Sequence, residues 1–276
     1  MKIAMLTMEK FDNRRENSVG SSRIRGKWMM KYCPQITEFK NGFDYDAVIY
    51  QKAYYQEHMK RFQGVKIFDL CDPDWLEPRP ITETAEHVDA FTVTTDKIKD
   101  FLTQITPKPV VVIPDRIDPE EHTPTKQEHF GKIRSVVWFG YSSNQVVLDQ
   151  VVNILQNYQI SLVVISERNY PQADVNIPYD YKTVHEEIIK HDAVLMPIFI
   201  KNLRHSYKSD NKILTSWALK MPVIREPQDI ERLMNPAVRN AEAEKHYQYV
   251  KDEYHVKHSG PEYVNLIEQL MREKSA

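Results

Sequence analysis

Short runs of apolar, mostly β-branched residues alternate along this chain with longer segments of helical periodicity. A strand that is apolar at every position is buried on both faces, which is the environment of a parallel sheet covered by helices. The alternation therefore predicts the α/β class. The runs form two sets: Lys2–Thr7, Asp46–Tyr50, Val65–Leu70, Ala90–Thr94 and Pro109–Ile113, then Arg134–Phe139, Ile160–Ser166, Ala193–Pro197 and Pro222–Ile224.

A stretch between the two sets, from Pro114 to Lys132, is rich in Pro and charge and lacks periodicity, which is typical of a linker. We therefore expect two Rossmann-like domains, at residues 1–122 and 123–276. Facing each other across a cleft, they would bind a ligand at the carboxyl ends of their strands. Near the C-terminus two helices are predicted, Ala237–Lys251 and Pro261–Lys274, with Gly260 as the break.

Composition excludes several classes of protein. The 276 residues include only two Cys, too few for a disulfide framework, and no run approaches the ~20 apolar residues of a membrane span. We expect a cytoplasmic protein with reduced thiols. A net charge of −2 provides no overall basic footprint for nucleic acid. Neither G-x-G-x-x-G nor G-x-x-x-x-G-K-[ST] occurs, which disfavours a standard dinucleotide or P-loop site.

A polar segment before the apolar run at Pro222 is predicted to form the first turn of a helix. The unpaired N–H groups and partial positive charge of a helix start favour a phosphate, and nearby cations would add to that field. The segment predicts a diphosphate site, with a solvated basic loop as the alternative. Its residues are Ser209, Asp210, Asn211 and Lys212, preceded by Arg204 and Lys208.

Small polar residues also follow the first strand of each set. Such turns suit phosphate binding where a helix begins, although an ordinary capped helix explains them too. In the first set the residues are Gly20, Ser21 and Ser22, with Arg23 and Arg25 beside them; in the second they are Gly140, Ser142 and Ser143.

Acidic residues cluster around the end of the third run. Asp69 lies within or at the end of this strand, and Asp72 and Asp74 follow it. Carboxylates this close repel one another, so a cation, a sugar hydroxyl or a proton transfer is expected to use them. The alternatives are a D-x-D metal site, a metal-free general base or sugar-hydroxyl acceptor, and a simple turn.

Two polar residues, Gln51 and Lys52, directly follow the second strand, where side chains of an open sheet face the ligand crevice. A capped turn is the alternative.

His185 and His191 lie on a helical segment without the Cys or carboxylate pattern of a zinc site, so no metal ligand is predicted there.

The order of these motifs resembles the GT-B family of nucleotide-sugar glycosyltransferases. "KILTSWALKMPVI" matches the family pattern K-[IL]-L-x-x-x-A-x-x-x-P-V-I, "HDAVLMPI" resembles the strand before it, and "VVWFGYSS" resembles the strand and Gly that open the second domain. "VTTDKIKDFL" followed by "KPVVVIPDRID" resembles the unit that closes the first domain.

The resemblance implies an enzyme that moves a sugar from a nucleoside-diphosphate sugar, most often a UDP-sugar, to an acceptor hydroxyl, without a required cofactor. The donor would lie against the second domain, and the acceptor, a glycan, lipid or modified DNA, against the first. Asp72 or Asp74 would be the acidic group near the sugar or acceptor, and Lys208 and Lys212 would hold the diphosphate. Gly20–Ser22 would approach it from the opposite wall, and the last helix would cross back to the first domain.

The chain also departs from the family. Two Glu separated by seven residues would fall on Tyr207 and Thr215, so the contact to the donor ribose must differ. One alternative is a phage-type glycosyltransferase acting on a hydroxymethylated DNA base, which needs a basic stripe near the acceptor. Another is a non-catalytic sugar-nucleotide-binding protein, and a third is a manganese-dependent GT-A enzyme. The stripe would comprise Arg14, Arg15, Arg23, Arg25, Lys27, Lys31, Lys60 and Arg61.

Overall fold

The computed structural model describes residues 1–14, 16, 19–42, 44–198 and 203–275 and contains two separate parallel β-sheets. The first sheet has six strands in the order β2-β1-β3-β4-β5-β6, and every neighbouring pair is parallel. Its strands are β1 (Ile3–Thr7), β2 (Ile36–Glu38), β3 (Ala47–Gln51), β4 (Val65–Leu70), β5 (Ala90–Val93) and β6 (Val110–Val112).

The second sheet has five strands in the order β11-β10-β7-β8-β9, again with parallel neighbours throughout. The prediction of an α/β protein with two Rossmann-like parallel sheets is confirmed. Its strands are β7 (Ser135–Phe139), β8 (Ser161–Ser166), β9 (Val175–Pro178), β10 (Ala193–Leu195) and β11 (Val223–Ile224).

Helices connect most neighbouring strands of both sheets, as is usual for parallel pairing, whereas β8 and β9 are joined by residues 167–174 without a helix. They are α1 (Met8–Phe11), α2 (Gly20–Ser22), α3 (Trp28–Tyr32), α4 (Gln56–Arg61), α5 (Ile81–His87), α6 (Asp96–Leu102), α7 (Val152–Asn157), α8 (Val184–Ile188), α9 (Leu203–Ser206), α10 (Asn211–Ala218), α11 (Pro227–Leu233), α12 (Pro236–Glu253) and α13 (Ser259–Ser275). A π-helical turn at Arg23–Lys27 joins α2 to α3, and 3-10 turns lie at Asp74–Leu76, Pro119–Glu121, Ser142–Leu148 and Val256–His258. Within the described ranges, no helix is both long and apolar enough to cross a membrane.

The chain divides into two compact units. The described residues within Met1–Asp118, Asn202–Asp210 and His255–Ala276 form the first unit, and those within Pro119–Lys201 and Asn211–Tyr254 form the second. The segment before α10 and the last helix, α13, therefore belong to the unit that contains the first sheet. The assignment of acceptor and donor roles to two domains stays a prediction.

The second sheet shows why continuous apolar runs predicted its strands. Trp138 packs into a cluster with Leu162 and Leu195. Its neighbours in β7, Val137 and Phe139, pack into another cluster. Both faces of β7 are thus buried. Because successive side chains point to opposite faces, consecutive residues of this strand must all be apolar.

Two strands were absent from the sequence prediction, and both lie at a sheet edge. Only Ile36 of β2 is buried, and no residue of β9 is. A short strand with an exposed face carries little apolar signal, so periodicity alone does not reveal it.

Gly260 does not separate the two C-terminal helices. The chain leaves α12 at Tyr254 and re-enters a helix at Ser259, which puts Gly260 in the first turn of α13. A Cβ at Gly260 would collide with Cys33 Cβ and lie 2.8 Å from its Sγ. The prediction of a helix break at Gly260 was wrong. The glycine is present for a different reason, because it lets α13 pack closely against the end of α3.

Gly260→Ala is expected to destabilise the protein by about 1–3 kcal/mol, because the added methyl group overpacks the contact with Cys33. Chemical denaturation followed by circular dichroism measures this free energy. Gly20→Ala is the matched control, since its Cβ would lie 3.9 Å from the nearest atom, Arg23 Nη2. Equal stability of the two variants would refute the packing account.

Candidate active site

A buried ion pair anchors the carboxyl edge of the first sheet. The π-helical turn directs Arg25 inward, where its side chain is 2 % exposed. Its Nε and Nη2 each donate to a different oxygen of Asp69 on β4, both at 2.6 Å, and its Nη1 donates to the Ile113 carbonyl at 2.9 Å. Arg25 thus binds the sheet, and the expectation that it lies as a cation beside an anion site was wrong.

Other groups complete this buried network. Tyr263 on α13 and Thr92 on β5 donate to the same Asp69 oxygen at 2.6 and 2.7 Å. Arg25 Nη1 also lies 3.1 Å from Asp115 Oδ1, and Ser209 Oγ donates to the other oxygen of Asp115. Ser209 therefore lies outside α10 and is held within the first unit.

Lys52 forms a second ionic cluster just beyond the ends of β3 and β4. Its Nζ donates to Asp72 Oδ2 at 2.8 Å and forms an ion pair with Asp74 Oδ1 at 2.9 Å. Tyr54 OH donates to Asp74 Oδ2 at 2.9 Å. The structure thus brings the predicted Asp72, Asp74 and Lys52 together.

The two carboxylates of this cluster differ in environment. The Asp74 side chain is 2 % exposed, and burial raises its pKa despite the opposing effect of Lys52. The Asp72 side chain is 31 % exposed. Burial also opposes ionisation of Asp72, but Lys52, Lys208 and Arg204 together lower its pKa below the ordinary value. Asp72 is therefore the accessible, readily ionised carboxylate.

The segment before α10 contributes cations to this edge of the first unit. Arg204 Nη2 lies 2.6 Å from Glu77 Oε1, and burial lowers the pKa of the half-buried Lys208 although Asp72 raises it. Tyr207 packs edge-on against Trp75 with ring centroids 5.0 Å apart. Because Arg204 and Lys208 belong to the first unit and Lys212 to the second, their joint role at a diphosphate stays a prediction.

Two predicted ligand-facing side chains are instead buried. Gln51 is fully buried, and its Oε1 accepts from Ser22 Oγ at 3.0 Å and from the Met8 N–H at 3.3 Å. Ser22 also accepts from the Glu9 N–H at 3.2 Å. These two side chains support the loop after β1. Gly20, Ser21 and Arg23 are half-buried, so a ligand can still reach this part of the turn.

In the second unit, Lys212 lies against the glycine that follows β7. A Cβ at Gly140 would collide with Lys212 Nζ, which lies 5.0 Å from the centroid of the Trp138 ring. Asn211 begins α10, so the ammonium group lies close to the start of this helix and to the carboxyl end of β7. The exposed Asp210 lies before the helix.

Ser142 already binds an anion from the protein itself. Its N–H and Oγ donate to Glu167 Oε1 at 2.9 and 2.7 Å, and Ser166 Oγ donates to Glu167 Oε2 at 3.1 Å. Ser143 is exposed. Sequence reasoning missed Glu167, although it directly follows β8 and the strand-end rule that selected Lys52 applies to it equally.

The residues that complete the first unit's network were also missed. Asp115, Thr92 and Tyr263 bear no local motif, and only folding brings them to Asp69.

The described residues contain no group of three or more His, Cys, Asp or Glu side chains placed to hold a metal ion.

No protein-family model matches the sequence, and no curated protein matches it. Solved structures do share the fold. HepE of Anabaena in complex with UDP and glucose aligns with a TM-score of 0.69 and 10 % identity over 98 % of this chain and 100 % of that chain. An alpha-glucosyltransferase in complex with UDP and a 13-mer DNA containing an HMU base aligns with a TM-score of 0.62 and 13 % identity over 88 % and 84 %.

The T4 phage BGT in complex with its UDP-glucose substrate aligns with a TM-score of 0.57 and 12 % identity over 98 % of this chain and 99 % of that chain. These likenesses extend over most of each chain. The fold is therefore that of the GT-B glycosyltransferases, which confirms the fold that the sequence resemblance implied.

Arg25→Met is expected to lower the free energy of unfolding by about 3–5 kcal/mol, because it leaves the Asp69 carboxylate buried without its cation. Urea denaturation measures this change. Tyr263→Phe keeps the ion pair and is expected to cost about 1–3 kcal/mol. Lys60→Met removes the exposed pair with Glu83 and is expected to cost less than about 1 kcal/mol. A loss in Arg25→Met no greater than in Lys60→Met would contradict the anchoring role.

Proposed function

We propose that the chain is a glycosyltransferase that moves a sugar from a nucleoside-diphosphate sugar, with UDP-sugars the first donors to test, to an acceptor hydroxyl. The observation that carries the proposal is the ammonium group of Lys212 beside Gly140 at the carboxyl end of β7. A cation there, next to the start of α10, suits a diphosphate. The shared fold with proteins that bind UDP or UDP-glucose supports the choice of donor.

On the donor side, we assign diphosphate binding to Gly140, Asn211 and Lys212. Gly140 lets the ligand and the Lys212 side chain approach the backbone closely, and the first N–H groups of α10 can donate to phosphate oxygens. Because Glu167 accepts from Ser142, the phosphates are assigned to the Lys212 side of this loop. Lys212 offsets the negative charge that develops on the departing diphosphate.

On the acceptor side, we assign the role of general base to Asp72. It is the more exposed carboxylate of the pair, and its lowered pKa keeps it ionised near neutral pH. Asp74 is buried against Lys52 and Tyr54, which suits a supporting role.

The reaction is a single displacement. The acceptor oxygen forms a bond to the anomeric carbon while the bond from that carbon to the diphosphate oxygen breaks. The electron pair leaves with the nucleoside diphosphate, and the hydroxyl proton passes to Asp72. The proposal requires no metal, because the Lys52 ammonium already lies between the carboxylates that a D-x-D metal site would use.

Modified DNA is the second candidate acceptor, since DNA-modifying glucosyltransferases share the fold. The basic stripe expected from the sequence supports a DNA acceptor only weakly. Arg15 lies outside the described residues, and carboxylates pair with several other residues of the stripe. The pairs are Arg14 with Asp12, Arg25 with Asp69, Lys27 with Glu16, Lys31 with Asp118 and Lys60 with Glu83.

Lys212→Met is expected to weaken UDP binding about 10- to 100-fold, because a charge-assisted contact to the diphosphate is lost. Isothermal titration with UDP measures the affinity, and uridine is the matched ligand, whose binding should change little. Gly140→Ala should have a similar effect by displacing Lys212. Unchanged UDP affinity in both variants would rule out this donor site.

Asp72→Asn is expected to lower the transfer rate about 10²- to 10⁴-fold, because the general base is lost. Mass spectrometry of products from UDP-, GDP- and ADP-sugars, with glycan, lipid and hydroxymethylated-DNA acceptors and EDTA present, measures the transfer and identifies both substrates. Glu83→Gln is a surface control. Donor binding without transfer to any acceptor would favour the non-catalytic sugar-nucleotide-binding protein.

A further inference from the structure

We propose that Lys52 is a positioning residue for this reaction: its strained backbone directs the ammonium group between Asp72 and Asp74, where it orients Asp72 and keeps it ionised. This inference rests on the proposed function, since it assumes that Asp72 accepts the proton. It assigns to Lys52 an action on the base, whereas the sequence predicted only a side chain that faces the ligand crevice.

The backbone at Lys52 is left-handed. Its φ is +49°, a left-handed conformation that costs a non-glycine residue about 1–3 kcal/mol and persists only where surrounding structure enforces it. The Lys52 N–H donates to the Asp69 carbonyl at 3.0 Å, so the turn is tied to β4. The anchored residue Asp69 thus fixes the point from which the Lys52 side chain extends.

The two carboxylates hold the Lys52 ammonium group in different ways. Asp74 is buried, accepts from Tyr54 and forms the 2.9 Å ion pair, so it holds the ammonium group in place. The 2.8 Å hydrogen bond from Nζ goes to one oxygen of Asp72, whose side chain remains 31 % exposed. Lys52 itself is only 11 % exposed, which strengthens its electrostatic effect.

Asp72 is surrounded by groups from several elements. Lys52 follows β3, Cys71 and Asp74 lie in the loop after β4, and Arg204 and Lys208 come from the segment before α10. After burial, which opposes ionisation, Lys52 has the largest effect on the pKa of Asp72. Removing it would leave two neighbouring carboxylates without their shared cation, and the pKa of Asp72 would rise.

A higher pKa of Asp72 makes the activity more sensitive to acid. A general base acts when deprotonated, so activity is lost as the pH falls through its pKa. Lys52→Met is expected to move the acid limb of the kcat/KM profile to higher pH by about one unit. Lys52→Arg retains a cation and should return the limb towards that of the native protein. Initial rates between about pH 3 and 9 measure both, with the native limb expected below about pH 4 because the pKa of Asp72 is lowered.

Two further variants separate this role from a structural one. Lys52→Asn removes the ammonium group but tolerates the left-handed backbone, so it should shift the limb as Lys52→Met does. Lys190→Met, which removes a surface pair with Glu187, should leave the limb unchanged. A lower kcat in Lys52→Met with an unshifted limb would overturn the proposal, because the residue would then act only on structure.

A measurement that needs no turnover separates failure of the proposed role of Lys52 from failure of the proposed function. The Asp72 carboxyl carbon can be titrated by ¹³C NMR in the native protein and in Lys52→Met, with Asp72→Asn used to assign the signal. A higher pKa in Lys52→Met supports the electrostatic role even if no sugar is transferred, and an unchanged pKa refutes it. Absence of transfer by the native protein would count against the glycosyltransferase alone.

Discussion

The buried pair of Arg25 and Asp69 is the interaction on which the first unit depends. Burial of two charges is costly, and two 2.6 Å hydrogen bonds with further partners for each charge offset that cost. Thr92 and Tyr263 donate hydrogen bonds to Asp69, while the Ile113 carbonyl and the Asp115 carboxylate accept from Arg25. Removal of Arg25 would leave Asp69 and Asp115 buried without a cation, and removal of Asp69 would leave Arg25 only its longer contact with Asp115. The pair therefore fixes α13 and the ends of the central strands together.

The proposed chemistry on the first unit is built from this anchor. The carbonyl of Asp69 accepts from the Lys52 N–H, and the loop that follows β4 presents Asp72 and Asp74 to the Lys52 ammonium group. Ser209 reaches the same network through Asp115, which places Lys208 near Asp72. In the second unit a different arrangement, Lys212 against Gly140, supplies the cation. Each sheet thus carries its charged groups at the carboxyl ends of its strands.

Local sequence rules recovered part of this site for a physical reason. A polar residue that directly follows an apolar strand lies at the carboxyl edge of a parallel sheet, and this rule placed Lys52 correctly at that edge. It does not say which way a side chain points. Gln51 satisfies the same rule, yet it is fully buried and bonds to Ser22. Glu167 satisfies the rule too and was overlooked.

The sequence by itself determined the α/β class and most of the strands, because burial on both faces of a parallel sheet imposes apolar residues at consecutive positions. The tertiary structure alone decided the partner of each charge. Arg25 and Asp69 lie 44 residues apart, and Tyr263 lies 194 residues from Asp69. Pairing over such distances depends on strand order and on the path of α13, and a charge pattern read along the chain contains neither.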